Sequence, residues 1–158
     1  MTHWTREIFL LCALVHSVGS LGLRAQTAEI EDPCLKTAGM QVYSNVFMHE
    51  ETGDLLGYDL AIKRLGSSGA EALLYIYEGG EAGEGIPLSG QVSKNQVTLR
   101  GTWIEHLLEY PSKRKILEQR SVEILGILTL ANFSGELTIS DDHQHVRLKR
   151  VKKIWSCK

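Results

Sequence analysis

Alternation of apolar and polar residues dominates the chain from Met40 onward. Short segments with a period of two are separated by breaks rich in glycine and polar residues. This pattern is typical of half-buried antiparallel strands, because successive side chains of a strand point to opposite faces of the sheet. The segments that show it are 41–49, 56–65, 70–79, 86–93, 96–103, 121–130, 133–140 and 145–151.

About eight strands with short connections predict an all-β domain. Eight strands in sequence order close naturally into an antiparallel up-and-down barrel, which leaves no exposed sheet edge. Glycines on or beside the apolar face are expected at bends of such a barrel, and they occur at Gly90, Gly101, Gly126 and Gly135. A two-sheet β-sandwich is the alternative fold, since alternation alone does not separate the two architectures.

The segment 104–119 can be interpreted in two ways. Ile104, Leu107 and Leu108 have helical spacing, but Pro111 forbids one continuous helix. We favour a long hairpin that turns at "YPSK" (110–113). In both cases we expect the segment to project beyond the core.

The first 25 residues predict a secretory signal peptide. Arg6 gives a charged start, an apolar run follows from Ile8, and small residues lead to a cleavage site at Ala25. The apolar run falls short of the roughly 20 residues that span a bilayer, and a buried first helix is the alternative. We therefore expect a secreted or periplasmic protein without a transmembrane anchor. Residues 26–39 form an N-terminal extension and residues 40–158 a single β-barrel-like domain.

Two cysteines remain after cleavage, Cys34 and Cys157, near the two ends of the mature chain. An exported protein meets an oxidising compartment, so we predict a disulfide that joins its termini. The alternatives are two free thiols or a bond between chains. No CxxC spacing is present to make the pair a redox site.

The charge balance gives no general affinity for nucleic acid. The whole chain has a formal net charge of −2, and the predicted signal removes two cations (Arg6, Arg24) and one acid (Glu7). A slightly acidic chain favours neither nucleic acid nor an anionic membrane as a partner. Residues 147–158 are nevertheless basic and contain no acid.

The stretch "SDDHQH" (140–145) contains ligand-type side chains but does not predict a metal site. His145 shares the polar face of its strand with Arg147 and Lys149, which repel a dication. Asp141, Asp142 and His143 fall where a turn joins two strands. We therefore predict a turn here, and we expect no metal and no cofactor.

Enzymatic chemistry has weak support in the sequence. His49, His106 and His143 lie near acids and could serve a hydrolase as acid–base groups. However, the chain has no GxSxG elbow, and "GEAGEG" lacks the Lys-Ser/Thr pair of a phosphate loop. We therefore lean against an enzyme.

"GTW" (101–103) is similar to the Gly-x-Trp signature of lipocalin-type barrels and to the "GTW" of avidin barrels. The similarity covers three residues in the middle of the chain, and we assign no family on it.

The sequence favours an exported, non-enzymatic binding protein. One hypothesis is a small apolar molecule held by the barrel, whose mouth would be lined by aromatic side chains; another is a protein partner contacted through the barrel loops. The third is an envelope scaffold or adhesion module without a small ligand, which a filled interior would favour. The candidate ligand-binding residues are Tyr43, Phe47, Tyr58, Tyr75, Tyr77 and Trp103.

Overall fold

A computed structural model describes residues 32–66, 69–109 and 114–157. The predicted signal peptide and the "YPSK" turn lie outside these ranges. The described part begins with a one-turn helix, α1 (Pro33–Lys36), and ends with a 3-10 helix (Trp155–Cys157). Between them lie the strands β1 (Gln41–Ser44), β2 (Phe47–Met48), β3 (Leu55–Gly66), β4 (Gly69–Glu78), β5 (Ile86–Ser93), β6 (Gln96–Glu109), β7 (Arg114–Leu128), β8 (Asn132–Ile139) and β9 (Asp142–Val151).

The strands form a closed, antiparallel, eight-stranded barrel. β1 and β2 both pair with β3, and so they act as one strand with an interruption. From β3 to β9 each strand pairs with the next along the chain, and β1 pairs with β9 to close the sheet. The predicted up-and-down barrel is therefore confirmed, and the sandwich alternative is wrong.

The interruption between β1 and β2 is held by local hydrogen bonds. The Asn45 side-chain oxygen accepts from the Tyr58 amide at 2.7 Å, and the Ser44 hydroxyl accepts from the Val46 amide at 3.2 Å. Gly57 faces this bend with a φ of 118°, and a Cβ there would lie 2.8 Å from the Asn45 side-chain oxygen. Only glycine fits that conformation and that space without strain.

Apolar side chains from the strands fill the barrel interior. Alternation directs every second residue inward, where these residues form one contiguous cluster. A narrow eight-stranded barrel is just wide enough for its own side chains. The large members, each at most 6% exposed, are Tyr43, Leu60, Ile62, Leu74, Ile86, Leu88, Val97, Leu99, Val122, Ile124, Phe133, Leu137, Val146 and Leu148.

A C-terminal strap, residues 152–157, covers part of the outer wall. Ile154 packs there in a second apolar cluster with residues of β1, β3 and β4, including Tyr75 and Tyr77. The fully buried Asp59 carboxylate accepts hydrogen bonds from the Trp155 amide at 2.6 Å and the Tyr77 hydroxyl at 2.9 Å. The strap is thus fastened to the barrel by both apolar and polar contacts.

The predicted disulfide is confirmed. Cys34 and Cys157 are bonded, with their Cα atoms 5.6 Å apart. The bond joins α1 to the end of the strap, so it connects the two ends of the described chain.

The two ends of the barrel differ in how they are sealed. At the closed end, near the turns 94–95 and 129–131, Tyr43 and Phe133 are fully buried. The Tyr43 hydroxyl also donates to the Thr129 carbonyl at 3.0 Å. At the open end, near the loops 49–54 and 79–85, inward residues of four strands are only partly buried: Tyr58, Ile76, Trp103 and Ile139. Ile86 of β5 is buried at this end, and Val92 is partly buried at the closed end.

A hairpin extends the open end. β6 pairs with β7 as far as Glu109 and Arg114, whereas β5 pairs only as far as Gly101 and β8 only as far as Val122. Apart from the hydrogen bond of 2.8 Å that the Ser121 carbonyl accepts from the Ser140 amide, residues 102–109 and 114–121 therefore pair only with each other. The hairpin interpretation of this segment is confirmed, and the helical one is wrong.

Candidate functional site

The open end has an aromatic floor. Tyr58 of β3 and Trp103 of β6 are the last inward-facing aromatic residues of their strands, and both pack on the interior cluster while remaining partly exposed. Below them lies the buried interior cluster, and Ile76 and Ile139 are likewise only partly buried at this end.

Arg120 lies over one of these rings. Trp103 and Arg120 are paired in the β6–β7 register, which places both side chains on the same face. The guanidinium carbon is 5.4 Å from the Trp103 ring centroid, within the range of a cation–π contact. Arg120 also forms ion pairs of 3.1 Å with Glu105 and with Glu118. The hydrogen bond to Glu118 raises the pKa of Arg120, so the guanidinium stays charged.

Tyr58 begins a chain of hydrogen bonds across the opening. Its hydroxyl donates to the Gln144 side-chain oxygen at 2.7 Å, and the Gln144 amide donates to Asp142 at 2.8 Å. Burial raises the pKa of Tyr58, and the negative charges of Glu78 and Asp142 raise it further. Tyr58 is therefore a neutral donor at ordinary pH. The negative charge of Glu78 also contributes to the raised pKa of Arg120. These polar groups therefore lie around one opening.

Apolar side chains form the rim above the floor. Phe47 pairs with Leu56, and Leu107 pairs with Ile116; alternation puts all four on the inward face. Phe47 is 52% exposed and Ile116 is 39% exposed. We call the rim, the two aromatic rings of the floor and the polar groups between them the mouth site. It is a shallow amphipathic surface.

The structure separates the six aromatic residues that the sequence suggested as ligand contacts. Phe47, Tyr58 and Trp103 lie at the mouth site. Tyr43 is buried inside the closed end, and Tyr75 and Tyr77 lie on the outer wall in the cluster that the strap covers. The latter two occupy odd positions of β4, which face outward because Leu74 and Ile76 face inward.

Sequence reasoning missed the polar half of the site. Glu105 and Glu118 fall in the segment 104–119, whose fold the sequence left open, and Arg120 directly follows it. Their register with Trp103 could therefore not be assigned. Gln144 and Asp142 were interpreted only as part of a turn. The turn itself is present at 140–141, but it is shorter than predicted, since Asp142 and His143 already pair with β8.

Of the candidate histidines, the two whose side chains the structure describes, His49 and His143, show no catalytic relay in their hydrogen-bond contacts. His49 contacts Thr52 at 3.4 Å in the loop 49–54. His143 lies on the outer wall, where the same nitrogen, Nδ1, contacts Glu136 at 2.6 Å and Thr138 at 3.1 Å. A relay needs the two ring nitrogens to serve different partners. The side chain of His106 lies outside the described part of the chain.

Two further findings apply to the described ranges alone. They contain no group of three or more His, Cys, Asp or Glu side chains placed to hold a metal ion. No helix within them has the length and apolar character needed to cross a membrane.

Comparison with protein-family models, curated protein sequences and solved structures found no match for this chain.

Proposed function

We propose that this protein is an exported, non-enzymatic binding protein that holds a small, largely apolar molecule at the mouth site. The asymmetry of the barrel carries the proposal: the closed end is sealed by fully buried rings, whereas the open end presents partly exposed aromatic and polar groups. Ligand sites commonly combine an apolar surface with a few well-placed polar groups. Because the interior is packed with side chains, the proposed binding position is on the floor rather than deep inside the barrel.

Export is supported by two features. The N-terminal residues have the order of a secretory signal, and disulfides such as Cys34–Cys157 persist in oxidising compartments. Mass mapping of the protein from its exported fraction tests this part, with cleavage after Ala25 as the expected result. An intact N-terminus in the cytosolic fraction would contradict it.

The two residues of β2 provide a matched test of binding. Phe47 and Met48 have almost the same exposure, 52% and 55%. However, Phe47 faces the mouth, whereas Met48 pairs with Leu55 of the outer cluster. The probe is N-phenyl-1-naphthylamine, an uncharged apolar dye that fluoresces when shielded from water. Loss of a ring contact worth about 1.4 kcal/mol weakens binding about tenfold.

We therefore expect Phe47→Ser to raise the Kd of the dye about tenfold and Met48→Ser to leave it unchanged. Native mass spectrometry of the exported protein supplies a second readout, a co-purified mass that denaturation removes. Equal behaviour of the two variants, or no dye binding by the parent protein, would overturn the proposal.

A second candidate function is contact with a protein partner, as an adhesion or scaffold module. The packed interior favours it, and so do two apolar residues on the outer face of the projecting hairpin, Ile104 (52% exposed) and Leu117 (63% exposed). Exposed apolar residues at a projecting element are common in interfaces. Loss of a pulled-down partner in Leu117→Ser but not in Phe47→Ser would favour this function over small-molecule binding.

A further inference from the structure

We infer that the mouth site selects a cationic amphipathic ligand over an anionic one. This inference rests on the proposed binding at the mouth and specifies the chemistry of the ligand: an apolar body with an ammonium-type head group.

Among the side chains that the structure describes at the mouth, acids outnumber cations. The four carboxylates are those of Glu78, Glu105, Glu118 and Asp142, and the guanidinium is that of Arg120. Arg120 pairs with Glu105 and Glu118. For Glu78 and Asp142 no cationic partner lies within 4 Å in the described ranges. These two carboxylates are exposed, and the negative charge of each raises the pKa of Tyr58.

At the mouth, one cationic side chain already lies over an aromatic ring. The guanidinium of Arg120 lies over Trp103 while two carboxylates hold its edges. Tyr58 repeats part of this arrangement. Glu78 pairs with Leu56, two residues before Tyr58 on the same face, and Asp142 is linked to the Tyr58 hydroxyl through Gln144. An ammonium head at that position gains both cation–π and charge attraction. Phe47 and the rest of the rim offer apolar surface for the body of the ligand.

The loops around the mouth extend the negative potential. The open-end loops and turn carry Glu50, Glu51, Asp54, Glu81, Glu84 and Asp141. Cations gather towards the other end of the barrel and on the strap, at Lys63, Arg64, Lys94, Lys149, Lys152 and Lys153. Lys115 lies near the hairpin tip, and alternation puts it on the outer face. A predominantly negative rim raises the local concentration of oppositely charged ligands, so an approaching cation is favoured and an anion repelled.

Three probes with the same ten-carbon chain isolate the effect of the head group: decyltrimethylammonium, decyl sulfate and decanol, each below its micelle concentration. Their displacement of N-phenyl-1-naphthylamine from the full mature protein is the measurement. We expect decyltrimethylammonium to act at a concentration at least about tenfold below that of decyl sulfate. The difference should shrink in 0.5 M salt, because screening shortens the range of the field to about 4 Å.

Charge variants test the named carboxylates. A unit charge about 6 Å away in water changes Kd about threefold, so losing two changes it about tenfold. The double variant Glu78→Gln/Asp142→Asn should therefore abolish the preference for the cation. The matched control Glu123→Gln/Glu136→Gln removes the same charge from the outer wall, and we expect it to keep the preference.

The outcomes separate this inference from the proposed function. Equal displacement by the three probes, tighter binding of decyl sulfate, or no displacement by decyltrimethylammonium while the dye binds would overturn the charge selection and leave binding at the mouth intact. An unchanged preference in the Glu78/Asp142 variant would do the same. Absence of dye binding in the parent protein would overturn the proposed function itself.

Discussion

At the scale of single residues, Asp59 shows how one polar group fixes the outer wall. It is fully buried, and its Oδ2 accepts from the Trp155 amide of the strap and from the Tyr77 hydroxyl of β4. Removing the carboxylate takes a shared acceptor away from both donors in a buried setting, and this lowers the stability of the fold. Asp59 therefore couples the strap to the barrel.

We expect Asp59→Ala to lower the free energy of unfolding by about 3 kcal/mol, the scale of two lost hydrogen bonds to a charged group. Urea unfolding followed by circular dichroism measures it. Tyr77→Phe removes one of the two donors, so the cost of Asp59→Ala should be smaller in that background. Simple additivity of the two substitutions, or a cost below about 1 kcal/mol, would show that the carboxylate does not anchor the strap.

Because of Tyr77, the free energy of unfolding should also depend on pH in the alkaline range. Burial raises the pKa of Tyr77 to about 12, whereas a tyrosine in the unfolded chain ionises near 10. Between these values the folded protein holds a proton that the unfolded chain has lost. Its contribution to stability is therefore complete below pH 10 and disappears as the pH rises towards 12.

The urea midpoint should accordingly fall between pH 9 and pH 11, and it should fall less steeply in Tyr77→Phe. Burial also raises the pKa values of Tyr43, Tyr58 and Tyr75, so the variant should keep part of the slope. Parallel curves for the two proteins would contradict the role of Tyr77.

At the scale of the strands, close approach of neighbouring backbones requires Gly90. A Cβ at this position of β5 would lie 1.8 Å from the Thr98 carbonyl oxygen of β6. That distance is far inside van der Waals contact, so the strands must separate to accept alanine. Sequence alternation suggested bends at four glycines, and at each of them a Cβ would come within 2.6 Å of a neighbouring strand.

We expect Gly90→Ala to destabilise the barrel by about 3 kcal/mol or more, the upper range for overpacking. Gly83 is the matched control, because a Cβ there meets nothing within 4 Å and the change should stay within about 0.5 kcal/mol. Thermal unfolding of both variants measures the difference. Equal melting temperatures would mean that β5 and β6 can separate without cost.

Alternation predicted the strands well because each has one face in the packed interior. Alternation did not reveal what covers a strand face where the covering residues are distant in the sequence. The segment 70–79 is apolar on both faces, and the outer face of β4 is covered by the strap, about 80 residues later in the chain. No local pattern reveals that cover. Likewise Arg120 meets Trp103 only through the hairpin register, which Pro111 and the mixed spacing of 104–119 left undecided.

At the scale of the whole molecule, closure of the barrel depends on a short seam. β1 and β9 share three residue pairs, Val42 with Val151, Tyr43 with Arg150 and Ser44 with Lys149. The β6–β7 hairpin, in contrast, shares fourteen. The Cys34–Cys157 bond joins the segments that precede β1 and follow β9, so it holds the two sides of the seam together.

Replacing both cysteines by serine should therefore open the barrel at the seam first. The bond joins residues 123 positions apart, and a loop of that length stabilises by about 4–5 kcal/mol through the entropy of the unfolded chain. For a domain of this size we expect the melting temperature to fall by about 10–15 °C.

Hydrogen exchange distinguishes local opening from uniform destabilisation. Amides of 42–44 and 149–151 should lose protection in Cys34→Ser/Cys157→Ser well before those of β6 and β7, because local unfolding begins where few contacts hold an element. Reductant should reproduce this result in the parent protein and have no effect on the variant. Uniform loss of protection would mean that the disulfide acts only on the unfolded chain, whereas early loss at the seam means that it also keeps the folded barrel closed.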